Sequence, residues 1–175
     1  LLEYIKGIIK MVKAIFPGSF DPITNGHLET IKKASQSFDE VVVVIMTNTS
    51  KKYLFSAKER AELVEEAIAD LKLANVSVLT RPAALTVDVA KELQTNIIIR
   101  GLRNSADFLY EQQINAMNKK LNPAIETVYF MTSSDNSFVA SSMIKEIAKF
   151  GGDVSQFLPV KAALALKRVL ASHEK

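Results

Sequence analysis

The chain has 175 residues, with 22 Lys and Arg against 19 Asp and Glu, for a net charge of +3. So small a surplus, with no long block of cations, argues against a dedicated nucleic-acid binder, and 48% hydrophobic residues exclude a disordered chain. With no Cys, and His27 and His173 as the two histidines, a disulfide scaffold, a thiolate zinc site, a Cys nucleophile and a multi-histidine metal site within one chain are excluded.

Residues 1–10 (LLEYIKGIIK) precede Met11 and read as an N-terminal extension, leaving 11–175 as one domain. Lys6, Lys10 and Lys13 interrupt the apolar residues, so no signal-peptide core forms, although Ile5, Ile8, Ile9 and Val12 share one face at helical spacing. No apolar stretch approaches the ~20 residues a membrane helix needs, and the expected compartment is the cytoplasm. Val12 to Phe16 is a short apolar run that ends at Pro17-Gly18, a first strand. Val41 to Met46 (VVVVIM) does not alternate, which marks a strand buried on both faces of a parallel sheet. Ser56 to Leu71 is a helix, opened by a Ser56/Glu59 capping box and carrying a Leu63, Val64, Ala67, Ile68, Leu71 stripe.

Val76 to Leu79 is the next short strand, and Leu85, Val89 and Leu93 mark the helix after it. Ile97 to Ile99 is a buried strand stopped by Arg100-Gly101. Tyr110, Ile114, Met117 and Leu121 follow 4-3-4 spacing, which predicts a helix over about 104–121. Glu126 to Met131 is the fifth strand. Ser142 to Phe150 is a helix ended by Gly151-Gly152, and Pro159 starts the last one. Strands alternate with helices throughout, so the expected fold is a single doubly wound α/β domain on a five-stranded parallel sheet. Ligands of such folds sit beyond the carboxyl ends of the strands.

The first strand is followed by Pro17-Gly18-Ser19-Phe20-Asp21-Pro22-Ile23-Thr24-Asn25-Gly26-His27. Gly18 is expected to let the backbone approach a ligand, and Ser19 adds a hydroxyl beside it. Thr24 is a good cap for a helix starting near Asn25, with His27 in its first turn, where free N–H groups suit an anion. Lys51 follows the second strand, and Arg100 and Arg103 follow the fourth. Ser137, Ser141 and Ser142 surround the start of the penultimate helix as expected caps. In a parallel sheet these loops share one rim, rich in cations and hydroxyls and poor in carboxylates, suited to a polyphosphate and a second anionic substrate. The dinucleotide and P-loop signatures GxGxxG and GxxxxGK[ST] are both missing.

Thr-x-Gly-His inside GSFDPxxxGH resembles the signature of the (H/T)xGH nucleotidyltransferase superfamily, a Rossmann-like fold. PGSFDPITNGH, TSKKYLFSAKER, IIIRGLRNSADFLYEQQINAMN, SFVASSMIKE and GGDVSQFLP together resemble bacterial phosphopantetheine adenylyltransferases across about residues 12–170. The resemblance implies transfer of the adenylyl group of ATP to 4′-phosphopantetheine, giving dephospho-coenzyme A and pyrophosphate. It also implies a homohexamer, Mg²⁺ held mainly by ATP phosphates and water, coenzyme A as an inhibitor, and neither nucleic-acid nor membrane partners. By position, it implies that Ser19 and Phe20 contact both ligands and that His27 contacts the ATP phosphates. Lys51, Thr86 and Arg100 would line the phosphopantetheine site. Gly101, Leu102, Arg103, Glu111 and the stretch Asn136, Ser137, Phe138, Val139, Ala140, Ser141 and Ser142 would contact ATP. Two positions depart from the family: Asn136 stands where many members carry an aromatic residue, and Ala140 where many carry a third Ser.

A phosphate nucleophile needs no proton removed near neutral pH. The expected chemistry is therefore alignment and electrostatic stabilisation without a general base, with His27, Lys51 and Arg103 as the catalytic residues. Two alternatives stay open on the sequence. One is a related enzyme with another acceptor, such as nicotinate mononucleotide or a cytidylyl-transfer substrate. The other is a nucleotide-binding regulator without turnover.

Overall fold

The computed structural model describes residues 11–137 and 139–173; the expected extension and Phe138 lie outside the described residues. β1 (Lys13–Gly18), β2 (Glu40–Ile45), β3 (Val76–Thr80), β4 (Ile97–Leu102) and β5 (Glu126–Met131) form one parallel sheet in the order β3-β2-β1-β4-β5. Between and after them run α1 (Asn25–Ser37), α2 (Ala57–Asp70), α3 (Thr86–Glu92), α4 (Ser105–Leu121), α5 (Ser141–Lys149) and α6 (Val160–His173). β1 lies in the middle, so the chain winds outward through β2 and β3, then crosses back to β4. The order reverses between β1 and β4, and the crevice at their carboxyl ends is the switch point where such sheets bind ligands.

The unbroken apolar strands do bury both faces. Ala14, Phe16, Val41, Val43 and Ile45 join one core with Ile31 of α1, Val64 and Ile68 of α2, Ile144 of α5 and Leu166 of α6. Ile15, Val42, Val44 and Ile98 point the other way and pack with Val87, Val89 and Ala90 of α3. The period of two in a strand sends alternate side chains to opposite faces, so a continuous Val/Ile run requires helices on each.

Element boundaries shift from the sequence reading by a residue or more, and three shifts bear on the strand exits and the last helix. β1 continues through Pro17 and Gly18, which pair with Val44 and Ile45. β4 continues through Arg100 and Gly101 to Leu102, because Arg100 pairs with Tyr129 and Gly101 with Phe130. The backbone ladder takes no account of side-chain charge, so a cation at a strand end need not stop it. α6 begins at Val160, with Pro159 just before it and its carbonyl accepting from the Ala163 N–H at 3.0 Å. The Ser56/Glu59 capping box forms as read.

Close approach fixes a glycine at two positions near the strand exits. A Cβ on Gly101 would meet Thr30 Oγ1 at 2.8 Å, so a glycine there lets α1 pack against β4. A Cβ on Gly18 would meet the Phe20 ring at 2.8 Å. Phe20, at φ 49, folds its own ring back against Gly18, so the missing Cβ also makes room for that ring.

Candidate active site

The loops after β1, β2 and β4, with the start of α5, border an open cleft of about 760 Å³ at the switch point. It is lined by Ser19, Phe20, His27, Lys51, Thr86, Arg100, Gly101, Arg103, Glu111, Val139, Ala140, Ser141 and Ser142. Three expected contacts stand elsewhere. Leu102 is buried, with its carbonyl accepting from Thr132. Asn136 donates its amide to Glu29 at 3.0 Å, and the Ser137 hydroxyl donates to the Ser134 carbonyl at 2.8 Å. Glu29 accepts as well from Lys33 and from the N–H and hydroxyl of Ser133. Burial raises the Glu29 pKa, but these hydrogen bonds outweigh it and hold the carboxyl at about 2. Asn136 thus anchors its loop to α1.

His27 is placed by the cap of α1. The Thr24 hydroxyl accepts the His27 N–H at 3.3 Å, and the His27 ring accepts the Thr24 N–H on Nδ1 at 3.1 Å. This is a capping box with His at the position usually held by Glu or Gln. The Phe20 ring stands edge-on to the imidazole, with centroids 5.1 Å apart, and Phe16 stands edge-on to Phe20 at 5.4 Å. The Thr24 bond assigns the tautomer: Nδ1 is an acceptor, so Nε2 carries the proton. Burial, reinforced by Arg103, Arg100 and Lys51, lowers the His27 pKa from 6.5 to about 4. The ring is neutral near pH 7 and offers one N–H donor with no lone pair left for an incoming proton.

The two arginines are held alike. Arg100 donates Nε and Nη2 to the Glu111 carboxylate, the first at 2.8 Å, and Nη1 to the Pro17 carbonyl at 2.8 Å. Arg103 donates Nε and Nη2 to Asp107 at 2.7 and 2.9 Å, and Nη1 to the Val139 carbonyl at 3.4 Å. Asp107 and Glu111 lie four residues apart, hence on one face of α4, and grip one guanidinium each. A guanidinium has five N–H donors, so each arginine keeps two for a ligand.

The cleft also holds residues the sequence reading passed over. Lys145 pairs with buried Asp21 at 2.5 Å, and Asp21 accepts the Leu54 and Phe55 N–H groups. The rim therefore carries Asp21, Asp107 and Glu111, more carboxylates than expected. Each faces a cation, and Lys51, Lys52, Arg100, Arg103 and Lys145 outnumber them, leaving a net charge of +2 with His27 neutral. The four-residue spacing of Arg103 and Asp107 across the start of α4 was the available signal for one pair. Asp21 and Lys145 are 124 residues apart and gave none.

The serines around the start of α5 are not its caps. Ala140 holds that position without a side-chain bond, and Ser141 instead donates to the Pro22 carbonyl at 2.9 Å. The first-turn N–H groups of α5 therefore carry no side-chain cap on the cleft wall, which suits an anion.

A cytidylyltransferase-like family model matches residues 15–147. Phosphopantetheine adenylyltransferase of Lactobacillus acidophilus is 62% identical over 160 residues, covering 91% of this chain and 98% of that one. The chain belongs to the phosphopantetheine adenylyltransferase family. The protein of that name from Lactobacillus helveticus is 59% identical over 162 residues, covering 93% of this chain and 98% of the other. A crystal structure of a proposed nicotinate-nucleotide adenylyltransferase from Vibrio parahaemolyticus shares the fold, with a TM-score of 0.68 at 19% identity over 92% of this chain and 95% of that one. The PGSFDP and GH residues on which the resemblance was read form the β1 exit and the α1 cap described above.

Proposed function

We infer that the cleft transfers the adenylyl group of ATP to 4′-phosphopantetheine, releasing pyrophosphate and forming dephospho-coenzyme A. The observation that carries this is a net-positive cleft at the sheet's switch point, with neutral His27 and two half-free arginines converging on it, in a chain of this family. Arg103, Ser142 and the uncapped α5 N-terminus hold the nucleotide. Lys51, Thr86 and Arg100 hold the acceptor phosphate, and Ser19 and the Phe20 backbone lie between them. Once both anions are aligned, the acceptor oxygen attacks the α-phosphorus and pyrophosphate leaves opposite. The Nε2–H of His27 and the Lys51 ammonium stabilise the charge that builds on the non-bridging oxygens. His27 takes no proton, because its free nitrogen already carries one.

Mg²⁺ bound to ATP would neutralise phosphate charge, and it would be held by phosphates and water, because Asp21, Asp107 and Glu111 are each engaged with a cation. ATP as donor places the reaction in the cytoplasm, and coenzyme A, which resembles the product, competes for the same cleft. Incubation with ATP and either 4′-phosphopantetheine, nicotinate mononucleotide or no acceptor tests the assignment by pyrophosphate release. Release with phosphopantetheine alone is expected; release only with another acceptor, or ATP binding without release, overturns it.

Two further results are expected. Arg103→Ala raises KM for ATP about tenfold and leaves KM for phosphopantetheine within about twofold, because the guanidinium fork is lost on the nucleotide side. Equal impairment for both ligands contradicts the division between the arginines. The chain also assembles as a hexamer. Supporting this, α4 leaves Leu109, Tyr110, Met117 and Leu121 about 60% exposed, and β5 leaves Met131 56% exposed. Those α4 residues include most of the 4-3-4 stripe, and such an apolar face calls for cover. A light-scattering mass near 19.3 kDa at micromolar concentration overturns this.

A further inference from the structure

Arg60 in α2 is 2% exposed, yet it has no carboxylate within ion-pair distance among the described residues, and its Nε is buried without a partner. A guanidinium buried in this way is a poor means of stabilising a core. Its Nη1 donates to the carbonyl of Ser19 and, at 3.0 Å, to that of Met46. These carbonyls lie just past the ends of β1 and β2, so one cation ties together the exits of two neighbouring strands. The guanidinium carbon also lies 4.2 Å from the centre of the Tyr53 ring. The Tyr53 hydroxyl sits 3.3 Å from Ser19 Oγ, accepts the Asn48 N–H and donates to the Asn48 carbonyl at 3.3 Å.

Both contacts lead to ligand-facing donors. The Ser19 carbonyl and the Phe20 N–H are opposite poles of one trans peptide, so holding the oxygen on Arg60 turns the N–H the other way. That N–H has no protein partner among the described residues. Phe20 is held at φ 49, a left-handed conformation that a bulky residue keeps only when its surroundings enforce it. Tyr53, for its part, closes the loop from Asn48, and that loop presents Lys51 and Lys52 to the cleft. The Lys51 ammonium has no hydrogen bond or ion pair among the described residues, so only its loop places it.

We propose that Arg60 and Tyr53 are positioning residues whose stacked pair sets the Phe20 N–H and the Lys51 loop as phosphate donors. This rests on the phosphate-binding reading of the cleft given above.

The test is steady-state kinetics with ATP and 4′-phosphopantetheine, alongside thermal melts, on the full chain. The variants are Arg60→Met, Arg60→Lys, Tyr53→Phe, Lys51→Ala and the Tyr53→Phe/Lys51→Ala pair. Arg60→Met is expected to lower kcat about tenfold or more in the folded protein. Arg60→Lys recovers part of it, since an ammonium still donates to both carbonyls. Tyr53→Phe raises KM for phosphopantetheine about fivefold and leaves that for ATP unchanged, and the effect disappears in the Lys51→Ala background. A folded Arg60→Met with parental kcat overturns the proposal. So does a Tyr53→Phe effect that is nil, or that persists undiminished without Lys51. If Arg60→Met fails to fold, the Tyr53/Lys51 cycle decides, because it removes one hydroxyl and one exposed ammonium. A parent chain without turnover overturns the functional reading and this proposal with it; an active parent with unaffected variants overturns this proposal alone.

Discussion

Replacing His27 with Ala is expected to lower turnover by about a hundredfold or more, with KM for ATP changed far less. The ring's one N–H gains strength as negative charge builds at the α-phosphorus, so its loss falls on kcat. The fold survives. Thr24 N–H loses its acceptor on Nδ1, and a lost capping contact costs about 0.5–2 kcal/mol, a few degrees in a domain of this size. Asn, still a donor, recovers part of the rate. Gln should recover more, because it is a normal capping-box residue: its carbonyl can take the Thr24 N–H while its amide faces the cleft.

The pH dependence gives a second check on His27. Its folded pKa of about 4 lies below the ordinary 6.5, so between those values the unfolded chain binds the extra proton. His27 therefore contributes stability that is complete above pH 6.5 and is lost as pH falls through about 4. His27→Gln should flatten the melting-temperature profile over that window. In kcat/KM, which reports the free enzyme, no titration assignable to His27 should appear from about pH 6 to 9. A folded His27→Ala enzyme with near-parental turnover refutes the assignment, and a rate that follows imidazole deprotonation near 6.5 restores a general base.

The sheet was legible because Val41 to Met46 leaves no polar side, and a strand of that kind can exist only between two helical layers. The cationic rim was legible for a related reason: Lys51 and Arg103 follow buried strands, Arg100 stands in the last residues of one, and the ends of such strands converge. What holds those cations in place was harder to read. Glu111 was read as a nucleotide contact, but its grip on Arg100 was not foreseen, and Asp107 was passed over although it stands four residues from Arg103. Charge pairs of this kind arise when a helix packs back over a strand end, and composition and period do not record that geometry. The roles of Arg60 and of the Asp21–Lys145 pair depend on which loops meet across the cleft, at separations of 41 and 124 residues.

Arg100→Ala is expected to damage the fold and the acceptor site together, and a second substitution separates the two effects. The Glu111 side chain is 9% exposed and that of Arg100 is 27% exposed, and two hydrogen bonds join them. Removing the guanidinium strands a buried carboxylate and frees the Pro17 carbonyl as well. Breaking a buried pair on one side typically costs about 3–5 kcal/mol, so the melting temperature should fall by roughly 6–20 °C. Adding Glu111→Gln removes the stranded charge and should restore most of that loss. It cannot restore the two N–H groups that Arg100 keeps for a ligand. KM for phosphopantetheine should therefore stay raised about tenfold or more in the double variant, with KM for ATP close to parental. A parental melting temperature in Arg100→Ala would mean that Glu111 finds water or another donor, and the pair would lose its structural role. A parental acceptor KM in the double variant would remove Arg100 from the acceptor site, because its remaining donors would then have nothing to hold.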